Sequence, residues 1–288
     1  MKAKRDVLNS AKIREQKRAV FKRRCIIIGV AFVIFVTGLA FLSRIKAFAI
    51  TDITVSGNSV VETDAIKQIV EERIMGSYLH MFSRSDFLIY PRRRITRGIM
   101  DSSLRISSVH VSLVGRHAIS IAVTEREPAF IWCGIELPTD AVAQQCYFLD
   151  KDGFAFAQAP YFSGDVYFKF YGSLGADGSA LGAQFLDPAT VASVYEASQS
   201  FRDFGWKPYA LATKDNGDYE LSIESSGKDP SAYPKLLFRK ANDFAKIKDN
   251  LMAAIAVEPF ATKIKKDFGN LKYIDLRYDN KVYYKFND

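Results

Sequence analysis

Residues 272–286 read Lys272-Tyr273-Ile274-Asp275-Leu276-Arg277-Tyr278-Asp279-Asn280-Lys281-Val282-Tyr283-Tyr284-Lys285-Phe286. Apolar and polar side chains flank Asp279-Asn280, a pair that favours turns, so the stretch predicts two short strands about a polar bend. Upstream, Tyr209-Ala210-Leu211-Ala212 and Tyr219-Glu220-Leu221-Ser222-Ile223 flank Asn216-Gly217, a hairpin signal. Phe244, Ile247, Leu251 and Ile255 recur at helical spacing, with Pro259 beyond the end. Asp187-Pro188 supplies a cap and a first-turn proline for a helix with Val191, Val194, Tyr195 and Phe201 inward, ending at Gly205. Before it, Tyr147–Asp150, Lys151-Asp152-Gly153 and Phe154–Ala157 read as strand, turn, strand. The Gly/Ser-rich segment 160–183 (Gly164, Gly172, Gly175, Gly178, Gly182) reads as a loop around one strand at 166–171. Residues 128–288 thus predict a mixed or antiparallel β domain with two helices.

The other end of the chain carries the charge. Residues 1–24 hold ten cations (Lys2, Lys4, Arg5, Lys12, Arg14, Lys17, Arg18, Lys22, Arg23, Arg24) against Asp6 and Glu15. The 288 residues carry 40 Lys+Arg against 32 Asp+Glu, and residues 25–43 carry none, so everything from Arg44 onward is neutral. A neutral body has no surplus to set against a phosphate backbone, which excludes a nucleic-acid binder. With 48% hydrophobic residues the chain is neither a disordered tail nor a fibrous repeat.

Cys25 to Ser43, CIIIGVAFVIFVTGLAFLS, is nineteen uncharged residues. At about 1.5 Å each in a helix they cover roughly the hydrocarbon thickness of a bilayer. The cluster Lys22-Arg23-Arg24 on one side, against Arg44 and Lys46 on the other, keeps the N-terminus cytoplasmic and exports the rest. The competing reading is a signal peptide cut at Ala47-Phe48-Ala49. The apolar run is longer than an ordinary h-region, and Arg44 and Lys46 put charge before the cut. Ser43-Arg44-Ile45-Lys46 matches the S-x-x-K of penicillin-binding enzymes, but no Ser-Asp-Asn or Lys-Thr-Gly accompanies it, and Lys46 reads as an interfacial anchor.

After the span, residues 50–56 alternate as a strand, and Thr63 can cap a helix over 64–75 with Ile66, Ile69, Val70 and Ile74 on one side. Pro91 suits the first turn of a second helix carrying Ile95 and Ile99. Two alternating strands follow, joined at Gly115-Arg116-His117. The order is β-α-α-β-β over residues 48–127.

Sites for chemistry are sparse. His80, His110 and His117 have no ligand at a metal-binding spacing, and His110 reads as a solvent-facing strand residue. No G-x-S-x-G elbow, Cys-His pair, P-loop or G-x-G-x-x-G occurs. Asp150-Lys151-Asp152-Gly153 opens like an EF-hand loop but lacks its later ligands. Paired acids at Asp150/Asp152 or Glu125/Glu127 sit in turns and strand ends, where solvation explains them. No cofactor, metal or small-molecule substrate is expected. Cys133 and Cys146 can close a disulfide outside the cytoplasm, a local staple worth about 3 kcal/mol by loop entropy. Cys25 sits in the span as a small apolar side chain.

Several of these stretches carry a family likeness. Val55-Ser56-Gly57-Asn58, Val109-His110-Val111 and Glu125-Arg126-Glu127-Pro128 with Trp132 resemble the V-x-G-N, V-x-V and E-R-x-P elements of the FtsQ/DivIB family of cell-division proteins. The β-α-α-β-β order behind a membrane span resembles a POTRA domain. Tyr147-Phe148-Leu149-Asp150-Lys151-Asp152-Gly153 and Tyr273-Ile274-Asp275-Leu276-Arg277-Tyr278 are similar to the opening and ending of that family's β domain. The likeness covers essentially the whole chain; residues 160–183 do not align, and little tail follows Phe286.

The resemblance implies an α+β protein with a cytoplasmic tail (1–24), a transmembrane helix (25–43), a POTRA-like domain (48–127) and a β domain (128–288). It also implies a non-catalytic single-pass scaffold of the division septum that joins early and late division proteins. Its partners would be FtsB/DivIC-like and FtsL-like membrane proteins. The contact segment carried over by position, expected to be an edge strand formed by the last strand of the β domain, is Arg277, Tyr278, Asn280, Lys281, Val282, Tyr283, Tyr284 and Phe286, with Tyr278 and Phe286 as anchors. Two other readings stay open, a POTRA-bearing secretion or outer-membrane assembly component and a membrane-anchored cell-wall enzyme.

Overall fold

The uncharged run lies inside one long helix, α1 (Ala11–Leu42), which starts well before the run does. Ile26, Ile28, Phe32 and Phe35 are each more than half exposed and point in several directions around it. A helix apolar all round and unburied by its own chain is long and apolar enough to cross a membrane. The computed structural model describes residues 11–43, 45–138, 144–162, 166–175, 179–239, 244–278 and 281–287. The tail cations Lys2, Lys4 and Arg5, and also Arg44, lie outside the described residues.

The chain divides between Glu125 and Arg126, inside the Glu125–Pro128 element. In the first unit, β1 (Asp52–Ser56) pairs in parallel with β5 (Ala118–Glu125), which pairs antiparallel with β4 (Ile106–Val114). The sheet order is β1-β5-β4. α2 (Thr63–Ile74) and α3 (Arg92–Ser102) lay Ile66, Val70, Ile95 and Ile99 against Ile119, Ile121 and Val123, the inward alternation of β5.

Two local expectations shift. Glu62, rather than Thr63, occupies the cap of α2, and Pro91 caps α3 instead of entering its first turn. Thr63 instead offers its hydroxyl oxygen to Asn58 Nδ2 at 2.9 Å. A two-residue-per-strand hairpin, β2 (Ser77–Tyr78) and β3 (Phe82–Ser83), stands between the helices. So short a pair leaves no alternation to detect in sequence.

The resemblance motifs have physical reasons here. Gly57 has φ +82°, and a Cβ there would stand 2.2 Å from the Val123 carbonyl oxygen, so only glycine fits beside β5. Asn58 Nδ2 donates to the Val61 carbonyl at 2.8 Å. The Glu125 carboxylate accepts the backbone N–H of Ser59 (2.7 Å), Val61 (2.9 Å) and Val60 (3.1 Å). The two motifs therefore build one loop. Burial would raise the Glu125 pKa, but these three donors and the nearby Arg105 charge outweigh it and hold the carboxyl below its ordinary value.

In the second unit, β6 (Phe130–Trp132), β7 (Cys146–Leu149), β8 (Ala155–Ala159), β9 (Phe168–Tyr171), β10 (Pro208–Thr213), β11 (Asp218–Ile223), β12 (Lys235–Arg239), β13 (Leu271–Tyr278) and β14 (Lys281–Phe286) form one mixed sheet. Its order is β14-β13-β12-β11-β10-β9-β6-β7-β8. The pairs β6/β9, β9/β10 and β12/β13 are parallel and the remaining pairs antiparallel.

Parallel neighbours need long crossovers; two of the three here are helical, and the third, β6 to β9, runs through the antiparallel β7–β8 pair. α4 (Pro188–Ser200) joins β9 to β10, while α5 (Phe244–Ile255) and α6 (Phe260–Asp267) join β12 to β13. The unit thus has three α-helices among the described residues, one more than the sequence predicts. Pro259, read as a stop beyond α5, caps α6. Phe201 falls in a 3-10 turn after α4, closed by Gly205 at φ +76°.

Alternate residues separate two cores. Phe130, Leu149, Phe170 and Leu211 face the helices, while Ile131, Phe148, Tyr171 and Ala212 form a second cluster on the opposite face. Cys133 and Cys146 form a disulfide beside that second cluster. Asp150 is buried: its carboxylate takes the Arg126 guanidinium and accepts the N–H of Asp152 and Phe154, each at 3.0 Å. A turn, not a cation loop, uses its oxygens.

Candidate functional site

β14 is an edge strand. It pairs antiparallel with β13 on one side, from Leu271↔Phe286 to Tyr278↔Lys281, and no described strand lies on its other side. Backbone N–H and C=O groups along that free side can pair with an added strand. The inward pull on β13 comes from Leu271, Ile274 and Leu276, all buried. The bend residues Asp279 and Asn280 lie outside the described residues, and with them the contact expected of Asn280.

Alternation on β14 sorts the expected contact residues into two groups. Val282, Tyr284 and Phe286 face the helical layer: the Tyr284 ring stacks on Phe260 with centroids 4.0 Å apart, and Phe286 is 7% exposed in the main core. Lys281, Tyr283 and Lys285 face the other way and are exposed. Phe286 therefore cannot act as an anchor for a partner, because its ring is already covered by Phe260 and by Lys263, whose Nζ lies 4.4 Å from the ring centre. Tyr278 keeps the expected placement: 45% exposed, it meets the half-exposed Tyr283 edge-to-face at 5.4 Å.

Arg277 is also engaged within its own sheet. Its guanidinium donates to Asp275 (2.9 and 2.6 Å) and to Asp218 (2.7 Å), two buried carboxylates from β13 and β11. Side-chain hydrogen bonds to Asp275 and Asp218 hold the guanidinium above its ordinary pKa. Burial pushes the Asp275 carboxyl up, yet the side-chain and backbone donors of Arg277 and the charges of Arg277 and Arg239 pull it below the usual carboxylate range. The group expected to meet a partner instead ties β11 to β13.

A cleft of about 380 Å³ opens beside β14, lined by Ala253, Ala254, Val257, Pro259, Val282 and Tyr284. The sequence predicts the α5 part of its wall but not α6. The signal was present in Phe260, Ala261 and Ile264, whose spacing after Pro259 buries one face of a short helix. The arrangement offers backbone pairing, two exposed tyrosines and a mostly apolar cleft that Asn250 and Glu258 also line, which suits an extended peptide. Among the described residues, no group of three His, Cys, Asp or Glu side chains could hold a metal ion. His110 is exposed, and His117 Nδ1 lies 3.0 Å from the Ala49 carbonyl. The chain matches no protein-family model and no curated protein.

Proposed function

We propose that this chain is a non-catalytic, single-pass membrane scaffold of the bacterial division machinery, of the FtsQ/DivIB type. The free edge of β14 carries the proposal. An extended segment of an FtsB/DivIC-like membrane protein would add a strand there, with Tyr278 and Tyr283 contacting its side chains and an FtsL-like protein joining the same assembly. α1 supports a membrane anchor, and the basic residues before its uncharged run support a cytoplasmic N-terminus with the remainder exported to the septum. The order β1-α2-β2-β3-α3-β4-β5, with β2 and β3 a separate short hairpin and sheet order β1-β5-β4, supports a POTRA-like reading of the first exported unit.

Depletion tests the role. Cells lacking the protein should grow as undivided filaments or chains, and normal septation without it overturns the reading. At the molecular level, the full chain in detergent should capture an FtsB/DivIC-like partner, and Tyr283→Ala should weaken that capture.

A further inference from the structure

The hairpin β2–β3 is stitched to the chain that leaves α1. Ser83 N–H donates to Ser43 Oγ at 3.2 Å, Ile50 N–H to the Ser85 carbonyl at 2.8 Å and Phe87 N–H to the Phe48 carbonyl at 3.0 Å. Ser43, at the end of the uncharged run, is buried by this contact. The apolar side chains on either side of the stitched segment 83–87 are turned to solvent. Leu79 is 84% exposed and Leu88 73%, with Met81 and Ile89 also exposed. Leu79 and His80 at the tip have positive φ, 48° and 60°, a costly backbone for side-chain-bearing residues. An aqueous turn would favour glycine or asparagine there.

Charge concentrates in the same stretch. Residues 73–97 hold six arginines and one acidic residue, Asp86, although the chain after the span is neutral as a whole. Arg92, Arg93, Arg94 and Arg97 are exposed on α3, which begins three residues after Ile89. Exposed leucines held beside the end of a membrane helix, followed by a run of cations, have the composition of an interfacial lipid-binding element.

We propose that the β2–β3 tip, through Leu79 and Met81, inserts into the outer face of the same bilayer that α1 crosses, and that the α3 arginines hold it against anionic phospholipid headgroups. This rests on the membrane-anchor reading of α1. It adds a second, shallow attachment that fixes the first exported unit at the membrane instead of leaving it to swing on the chain after Ser43.

The test uses the full chain in nanodiscs of equimolar phosphatidylcholine and phosphatidylglycerol, in a Cys25→Ala background. A fluorophore is placed at Leu79→Cys, at Val60→Cys on the β1–α2 loop at the far end of the β1-β5-β4 sheet, or at Phe32→Cys inside the span. Nitroxide phospholipids should quench the Leu79 probe several-fold more than the Val60 probe, and the excess should fall in pure phosphatidylcholine or with Arg92→Gln/Arg93→Gln/Arg94→Gln. Leu88→Cys gives a second reporter should the tip variant fold poorly. Equal quenching at Leu79 and Val60, or quenching indifferent to lipid charge, overturns the proposal. Loss of quenching at Phe32 instead overturns the membrane-anchor reading itself.

Discussion

The phenol ring of Tyr284 lies nearly parallel to the ring of Phe260, 15° between planes and 4.0 Å between centroids, and so fastens the edge strand β14 to α6. Its neighbour Tyr283 projects from the opposite face and is 50% exposed. One tyrosine belongs to the fold and the next is available to a partner. Tyr284→Ala should destabilise the second unit by about 2 kcal/mol, the lost ring contact plus lost apolar burial at a partly exposed site. Tyr283→Ala should change stability by less than about 0.5 kcal/mol while weakening partner capture. Thermal unfolding of the full chain in detergent, paired with a pull-down, separates the two; equal destabilisation would contradict the sorting of faces.

Arg277 should behave as a structural cation. Arg277→Met leaves the carboxylates of Asp275 and Asp218 buried without their shared donor, which costs about 3 kcal/mol. Arg277→Lys should recover only part of this, since a point charge cannot span two carboxylates as the planar guanidinium does. The folded Asp275 pKa is depressed, so its contribution is complete above the ordinary carboxylate range and fades as pH falls through the lowered value. The variant should therefore lose its deficit relative to wild type in acid. A Met variant of unchanged stability but poor partner capture would return Arg277 to the interface.

Periodic elements were legible in the sequence, and short or aperiodic ones were not. Ile66, Val70, Ile95 and Ile99 repeat at helical spacing and are all fully buried. The ribbon of β13 and β14 follows from alternation, but not its place at the sheet margin, because strand order depends on partners far away in sequence. β12 is five residues flanked by Pro234 and a charged segment, and α6 is eight residues rich in lysine. β12 reads Lys-Leu-Leu-Phe-Arg, which does not alternate, and two turns of α6 carry only the Phe260, Ala261 and Ile264 face as a signal. Phe286 and Tyr278 look alike in sequence as aromatics of one ribbon. Only the register, with Phe286 opposite the buried Leu271 and Tyr278 opposite Lys281, separates core from surface.

Reduction of Cys133–Cys146 should loosen the second unit. The bond closes a loop of residues 134–145 across β6 and β7, so in the chain-entropy picture its loss costs about 3 kcal/mol. Cys133 is 2% exposed among Ile131, Phe148 and Tyr171, and a double Cys→Ala variant adds a small packing loss to that figure. Calorimetry with and without reductant checks this. An unchanged melting temperature on verified reduction would show that the reduced chain remains confined without the bond.

Glu125 is expected to act as an acid-sensitive latch on the β1–α2 loop. Three backbone N–H groups converge on one carboxylate, and hydrogen bonds to a charged acceptor are stronger than neutral ones. Glu125→Ala removes the shared acceptor, and because Ser59 and Val60 are exposed and can turn to water it should cost about 1 kcal/mol at neutral pH. Glu125→Gln retains an acceptor oxygen but not the charge, and should cost less. Because the folded pKa lies below the ordinary value near 4.5, the carboxylate stabilises fully above that value and loses its effect as pH falls through the lowered one. The difference in melting temperature between wild type and the Gln variant should thus be largest near neutrality and shrink as pH falls through the lowered value. Other carboxylates titrate in both proteins and cancel from the difference. Parallel curves across the whole range would mean that the bonds to Ser59, Val60 and Val61 do not depend on ionisation, and that the loop is held by Gly57 and Asn58 alone.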